Sequence, residues 1–178
     1  DSDREARPDV VPCAGPVLRA PLEIPVRPVV GLEHSSDVAF ADVFVRLCEV
    51  DEKGKSWNVS DGYVRLFDAG PHQALRLELS EAAHCFRQGT RLRLQVSGGS
   101  HPQHDRNLGT GQSSAFGSVG KCSERLLGLS SSRVLLPVLA APPSGDAPSR
   151  CCSPVARPAV PPSRWPGPRR APRRWIPG

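Results

Sequence analysis

Leu75-Arg76-Leu77-Glu78-Leu79-Ser80 and Arg91-Leu92-Arg93-Leu94-Gln95-Val96 each alternate apolar and polar residues without a break. Successive side chains on an extended backbone point to opposite faces, so a period of two puts the leucines and the valine on one sheet face and the polar groups on the other. Both segments read as half-buried strands. The second closes at Ser97-Gly98-Gly99, a natural stop. Between them, His84-Cys85-Phe86-Arg87-Gln88-Gly89 offers a short apolar element and a glycine where the chain must turn. Ser80-Glu81-Ala82-Ala83 is read as one helical turn.

Working outward, Val43-Phe44-Val45-Arg46-Leu47 is apolar on both sides, which predicts an interior strand. Asp51-Glu52-Lys53-Gly54 then supplies hairpin chemistry, with glycine free to adopt positive φ. Trp57-Asn58-Val59 and Tyr63-Val64-Arg65-Leu66-Phe67 bracket Ser60-Asp61-Gly62, predicting a strand, a tight turn or bulge, and another strand. Leu22-Glu23-Ile24-Pro25-Val26 and Val29-Val30-Gly31-Leu32 are punctuated by proline, which lacks a ladder donor, so they belong at a sheet edge or a strand start. Ser100 to Arg125 is rich in Gly, Ser, His and Asn and reads as a long surface loop. Val134-Leu135-Leu136-Pro137-Val138-Leu139 is the expected closing strand. Seven to nine short strands with almost no helical period argue for an all-β antiparallel sandwich of jelly-roll or immunoglobulin type. The missing helices exclude a parallel α/β fold.

The chain has 178 residues, 20 of them proline, and a net charge of +5, but neither the prolines nor the charge is spread evenly. Residues 141–178 hold 11 of the prolines, seven arginines, no lysine and a single acid, Asp146. By subtraction, residues 1–140 carry about one net negative charge, so the basic balance describes the tail and not the folded surface. We expect a domain at 7–140, large enough to bury roughly two thirds of its unfolded surface without staples. We expect 141–178 to be a Pro/Arg-rich disordered tail. Its arginines could contact phosphates, but only Trp165 and Trp175 offer a stacking surface, so no nucleic-acid partner is expected. A frame-shifted, non-native end is a further reading of its composition. With no methionine and no signal peptide at Asp1, the chain reads as a fragment or a processed piece. No window approaches about 18 consecutive apolar residues, so no membrane-spanning helix is expected.

Chemistry-bearing patterns are scarce. A nucleophile elbow needs Gly-x-Ser-x-Gly on a sharp strand-to-helix turn. Gly111-Gln112-Ser113-Ser114-Ala115 lacks the second glycine, and Gly98-Gly99-Ser100-His101-Pro102 ends in a proline. His101-Pro102-Gln103-His104-Asp105 places two imidazoles and a carboxylate within five residues, yet the simpler reading is a solvated loop. Asp105-Arg106-Asn107 followed by Gly109-Thr110-Gly111 reads as a structured loop with the arginine pairing inward. His34 and His84 are expected to be ordinary, partly buried residues, and Trp57 to be core packing rather than a sugar platform. Cys13, Cys48, Cys85, Cys122, Cys151 and Cys152 show neither a repeated spacing nor a C-x-x-C pair; Cys48 and Cys85 look like small buried hydrophobes, and a disulfide framework, which a domain of this size does not need, is the lesser reading. No catalytic, cofactor-binding or metal residue is therefore assigned, and no cofactor is expected.

Several ordered motifs together resemble one family. They are Ser35-Ser36-Asp37 through Asp42-Val43-Phe44-Val45-Arg46-Leu47 and Val50-Asp51; Trp57 to Gly62; Ala83 to Gly99; Asp105-Arg106-Asn107-Leu108-Gly109-Thr110-Gly111; and Leu136-Pro137-Val138. In order and spacing they look like the C-terminal domain of the cocaine esterase and X-Pro dipeptidyl-peptidase family of serine hydrolases. The resemblance implies a jelly-roll sandwich, galactose-binding-like, attached after an α/β-hydrolase domain that carries the Ser-Asp-His triad. No position here matches that triad, so no catalytic residue is carried over. The family cleaves esters or amides by acyl transfer, including release of X-Pro dipeptides. The chain by itself is expected to be inactive and to brace a hydrolase domain in cis. The Gln112 to Ser132 region is shorter and less regular than the family's, and the tail has no counterpart. The alternative is a free-standing carbohydrate- or ligand-binding jelly roll, which would want a groove with several aromatics, whereas the chain has nine in all. The family and the unpaired cysteines suggest a cytoplasmic location; oligomeric state is not indicated.

Overall fold

A computed structural model describes residues 5–139. They form nine strands: β1 (Val10–Val17), β2 (Leu22–Ile24), β3 (Val29–Ser36), β4 (Ala41–Val50), β5 (Ser56–Leu66), β6 (Gln73–Glu78), β7 (His84–Phe86), β8 (Arg91–Ser97) and β9 (Arg125–Leu135). The sheets run β1-β8-β4-β5, β6-β3-β9 and β2-β7, with every pairing antiparallel.

The alternating segments lie where their period put them. In β6 and just after it, Leu77 and Leu79 are buried while Arg76, Glu78 and Ser80 are exposed. In the four-stranded sheet, Val45 pairs with Val96 and Leu47 with Leu94. Those side chains face Val30 and Leu32 of β3 in one core that also takes in Ile24 and Phe86 of the short pair. Each such side chain contributes about 1.5–3 kcal/mol when fully buried. The interior strand is real: all ten residues of β4 are buried, and it lies between β8 and β5.

One flank of the sandwich is closed and the other is open. On the closed flank β5 meets the end of β6: the Ser80 amide donates to the Asp61 carbonyl at 2.8 Å, and the Ser60 hydroxyl donates to the Ser80 carbonyl at 2.6 Å. A Cβ on Gly62 would come within 2.7 Å of the Leu79 side chain, so this approach needs glycine. On the open flank the edge strands β1 and β9 stand apart, and hollows lie between them.

Several expectations change. Of the turn or bulge expected around Ser60-Asp61-Gly62, the structure has a bulge-like register shift beside Ser60, opposite Leu47 and Cys48; β5 runs through as one strand of 11 residues, and Gly62 serves packing. Ser80 to Ala83 is not helical; the Ser80 carbonyl, which a turn starting there would use as its acceptor, accepts instead from the Ser60 hydroxyl. β3 starts directly after Pro28, as expected of a strand start, but lies at the centre of its sheet. The closing strand lies earlier than the apolar run, with Leu136 to Leu139 outside it. Cys48 is buried, and Cys85 is half-buried and disulfide-bonded rather than an inert buried thiol. The hairpin forms as read: Gly54 has φ 79°, its amide donates to the Asp51 carbonyl, and Asp51 Oδ1 accepts from the amides of Lys53 and Lys55. Expectations about 141–178 lie outside the described residues.

Candidate functional site

The outer face of the four-stranded sheet is covered by a loop that follows a strand residue by residue. Asp61, Tyr63 and Arg65 alternate along β5 and so share that face. Gln103 Nε2 donates to Asp61 Oδ2 at 2.9 Å, His104 stacks on Tyr63 with centroids 3.9 Å apart, and Arg65 Nη2 donates to the Asp105 carbonyl at 2.9 Å. Asn107 then reaches β4, where its Nδ2 donates to Asp42 Oδ1 at 2.7 Å.

Asp42 is the hub of this layer. Its side chain is 2% exposed and also accepts from Arg65 Nε and Nη2 and from the Tyr63 hydroxyl, each at 2.9 Å. Burial raises the carboxyl, but the bonds from Arg65, Asn107 and Tyr63 and the Arg65 charge outweigh it and hold Asp42 below the usual carboxylate range. Tyr63 is pushed up to about 12 by burial and by its bond to that carboxylate. A second buried carboxylate, Glu49, accepts from the Arg87 amide at 2.9 Å and lies 3.0 Å from His84 Nε2, joining β4 to β7. Burial raises it, while the Arg87 amide, Thr90 and His84 together bring it below its ordinary value. Toward the start of β1, Glu5 accepts from Gln95, Ser56 and Arg93 over the same outer face. These groups hold covering segments in place, and their donors and acceptors are spent on one another.

The open flank differs. A cavity of about 530 Å³ is lined by Val11, His34, Val43, Val96, Arg125 and Leu129 among others. A second, of about 410 Å³, continues along it between Cys13, Leu22, Leu92, Leu94, Val134 and Leu136. Val17, Leu129, Leu135 and Val138 are exposed large apolar residues at or near this flank.

The residues singled out from sequence fall as follows. His104 is taken up by Tyr63 and the Asp105 carbonyl by Arg65; no cluster of three or more His, Cys, Asp or Glu able to hold a metal occurs among the described residues. Arg106 is exposed, and Asn107 is the inward residue, contrary to expectation. Ser113 lies in an exposed turn whose carbonyl accepts from the Phe116 and Gly117 amides. Trp57 is 49% exposed rather than core, with Lys55 Nζ 4.1 Å from its ring centroid. His34 is fully buried inside β3 rather than partly buried. The sequence assigns no role to Asp42 or Arg125; the one local signal is a carboxylate inside the otherwise apolar Ala41-Asp42-Val43.

Residues 1–121 match the family model described as X-Pro dipeptidyl-peptidase C-terminal non-catalytic domain. A curated relative, cocaine esterase of Rhodococcus sp. (strain MB1 Bresler), is 28% identical over 116 residues, covering 59% of this chain and 20% of its own. Among solved structures, an alpha-amino acid ester hydrolase superposes with a TM-score of 0.68 at 25% identity, over 76% of this chain and 26% of that one. An aminopeptidase from a marine sediment Thaumarchaeota archaeon superposes with a TM-score of 0.67 at 21% identity, over 78% and 27%. The chain spans about a fifth of the curated relative's length and about a quarter of each of these two solved chains.

Proposed function

Because the chain belongs to the family of X-Pro dipeptidyl-peptidase C-terminal non-catalytic domains, we propose that it is the β-sandwich module, of jelly-roll type, that braces an α/β-hydrolase domain in cis. The parent activity is dipeptidyl-peptidase or ester and amide hydrolysis by acyl transfer. The module spans 7–140, with 141–178 as an appended tail. The observation that carries the reading is the match over residues 1–121, and the small share of each relative's length that the chain covers supports a larger parent. The open apolar flank between β1 and β9 agrees with a neighbour that covers it. The alternative, a free-standing sugar-binding jelly roll, finds little support at Trp57, whose ring is shared with the Lys55 ammonium. A cytoplasmic location belongs to the same proposal, on the free thiols of Cys13, Cys48 and Cys122; the bonded Cys85 is the observation against it.

The 178-residue chain alone is expected to turn over neither a chromogenic ester nor an X-Pro anilide. The coding sequence upstream of Asp1 is expected to encode, in frame, a hydrolase with Gly-x-Ser-x-Gly. Turnover by the isolated chain, or a start codon or signal peptide directly before Asp1, would overturn the reading.

A further inference from the structure

Two cationic or cation-forming side chains share the larger cavity of the open flank, and the structure leaves both short of partners. His34 is 2% exposed, and neither ring nitrogen has a hydrogen-bond partner in the protein. A buried polar group without a partner costs about 1–3 kcal/mol. Arg125 is half-buried at the start of β9 and donates only to neutral oxygens, the Asp42 carbonyl and the Ser123 hydroxyl. No carboxylate of the described residues hydrogen-bonds its guanidinium. Asp37 and Asp42 are near enough to favour its charge, yet Asp42 is already saturated by Arg65, Tyr63 and Asn107. Of the two acids in the cavity wall, Asp9 is ion-paired with Arg7 at 2.6 Å, and the Glu124 side chain is exposed.

The remaining wall is mostly apolar, with Val11, Val43, Val96, Leu127 and Leu129, and Ser97 and Ser123 add two hydroxyls. The volume of about 530 Å³ falls within the range of small-molecule sites, which pair an apolar lining with a few placed polar groups. The cation also has room made for it: a Cβ on Gly98 would come within 2.8 Å of Arg125 Nη1. We propose that this cavity binds a small organic acid with an apolar body, its carboxylate held by Arg125 and His34 and its chain laid along the valines and leucines between β1 and β9. Guanidinium–carboxylate bonds are charge-assisted and about twice as strong as neutral ones, and a bound carboxylate would give Arg125 an anionic partner and accept the one N–H of the neutral His34 ring. The site lies on the same flank as the face assigned above to a covering neighbour, in the hollow around Arg125 rather than the one around Leu92 and Val134.

Octanoate titrated into the full 178-residue chain and followed by NMR of the histidine rings is the direct test. The His34 ring signals are expected to shift saturably, with octanoate binding at least tenfold tighter than acetate and octylamine not binding there. Arg125→Gln should weaken octanoate at least tenfold. Should that variant fail to fold, Leu129→Asp, on the exposed rim, should weaken octanoate comparably. Unmoved His34 signals, octylamine binding as well as octanoate, or undiminished octanoate affinity in either folded variant would each overturn the proposal.

Discussion

Asn107 donates through its side-chain amide to Asp42 at 2.7 Å, joining a loop to a strand that lies 65 residues earlier in the chain. That bond completes a set in which one buried carboxylate accepts from Arg65, Tyr63 and Asn107. Removing the carboxylate strands all three donors, whereas removing Asn107 takes away one bond of several. Asp42→Ala is expected to cost about 3 kcal/mol and Asn107→Ala about 1 kcal/mol, by urea denaturation. A cost below about 1 kcal/mol for Asp42→Ala would mean that the loop is held by something else.

Gly62 and Gly54 separate two reasons for glycine. At Gly62 a Cβ meets Leu79 at 2.7 Å and the Glu78 carbonyl oxygen at 3.2 Å; at Gly54 it meets nothing within 4 Å, but φ is +79°. Gly62→Ala should cost about 2 kcal/mol through overpacking, and Gly54→Ala about 1 kcal/mol through backbone strain. Thermal melts that rank them the other way would show that β5 and β6 can spread without loss.

Stability should fall with acidification in two windows. The unfolded value of His34 is near 6.5, and its folded value is lower because of burial and the Arg125 charge. The unfolded chain therefore binds this proton first, so the contribution is present above about pH 6.5 and is lost as pH falls toward the folded value. Asp42 and Glu49 are also held below their ordinary values, so their contribution is present above about pH 4.5 and is lost as pH falls through the lowered ones. Denaturation midpoints from pH 8 to pH 3 should show both declines. His34→Leu should remove the upper one and leave stability at pH 8 unchanged or higher, since it replaces a buried group without partners by an apolar one.

Thiol reactivity should follow burial. Cys48 is buried on β4, and desolvation pushes its thiol up to about 11, whereas Cys122 is exposed. A disulfide reagent at pH 8 is expected to label Cys122 in the folded chain and Cys48 only after unfolding. Equal labelling rates would show that β4 opens readily.

Alternation alone located β6 and β8, because a sheet with one wet face writes its period into the residues, and the same logic marked β4 as interior. Where a local signal has two physical causes, sequence could not separate them. Gly62 looks like a turn glycine but is a packing glycine, and the closing strand begins at Arg125, ahead of its apolar run. Arg106 and Asn107 are both polar loop residues, and only the position of Asp42 across the layer makes Asn107 the inward one.

Sequence by itself determined the β class, the interior strand, the hairpin at Asp51 to Gly54 and the family, since these rest on period, turn chemistry and motif order, all local along the chain. The tertiary structure alone decided that Asp42 is a saturated hub, that the flank between β1 and β9 stays open, and that His34 and Arg125 line one cavity there. Those depend on which residues, distant in sequence, fall within a few ångströms of one another, and burial turns that proximity into altered protonation and unmet hydrogen bonds.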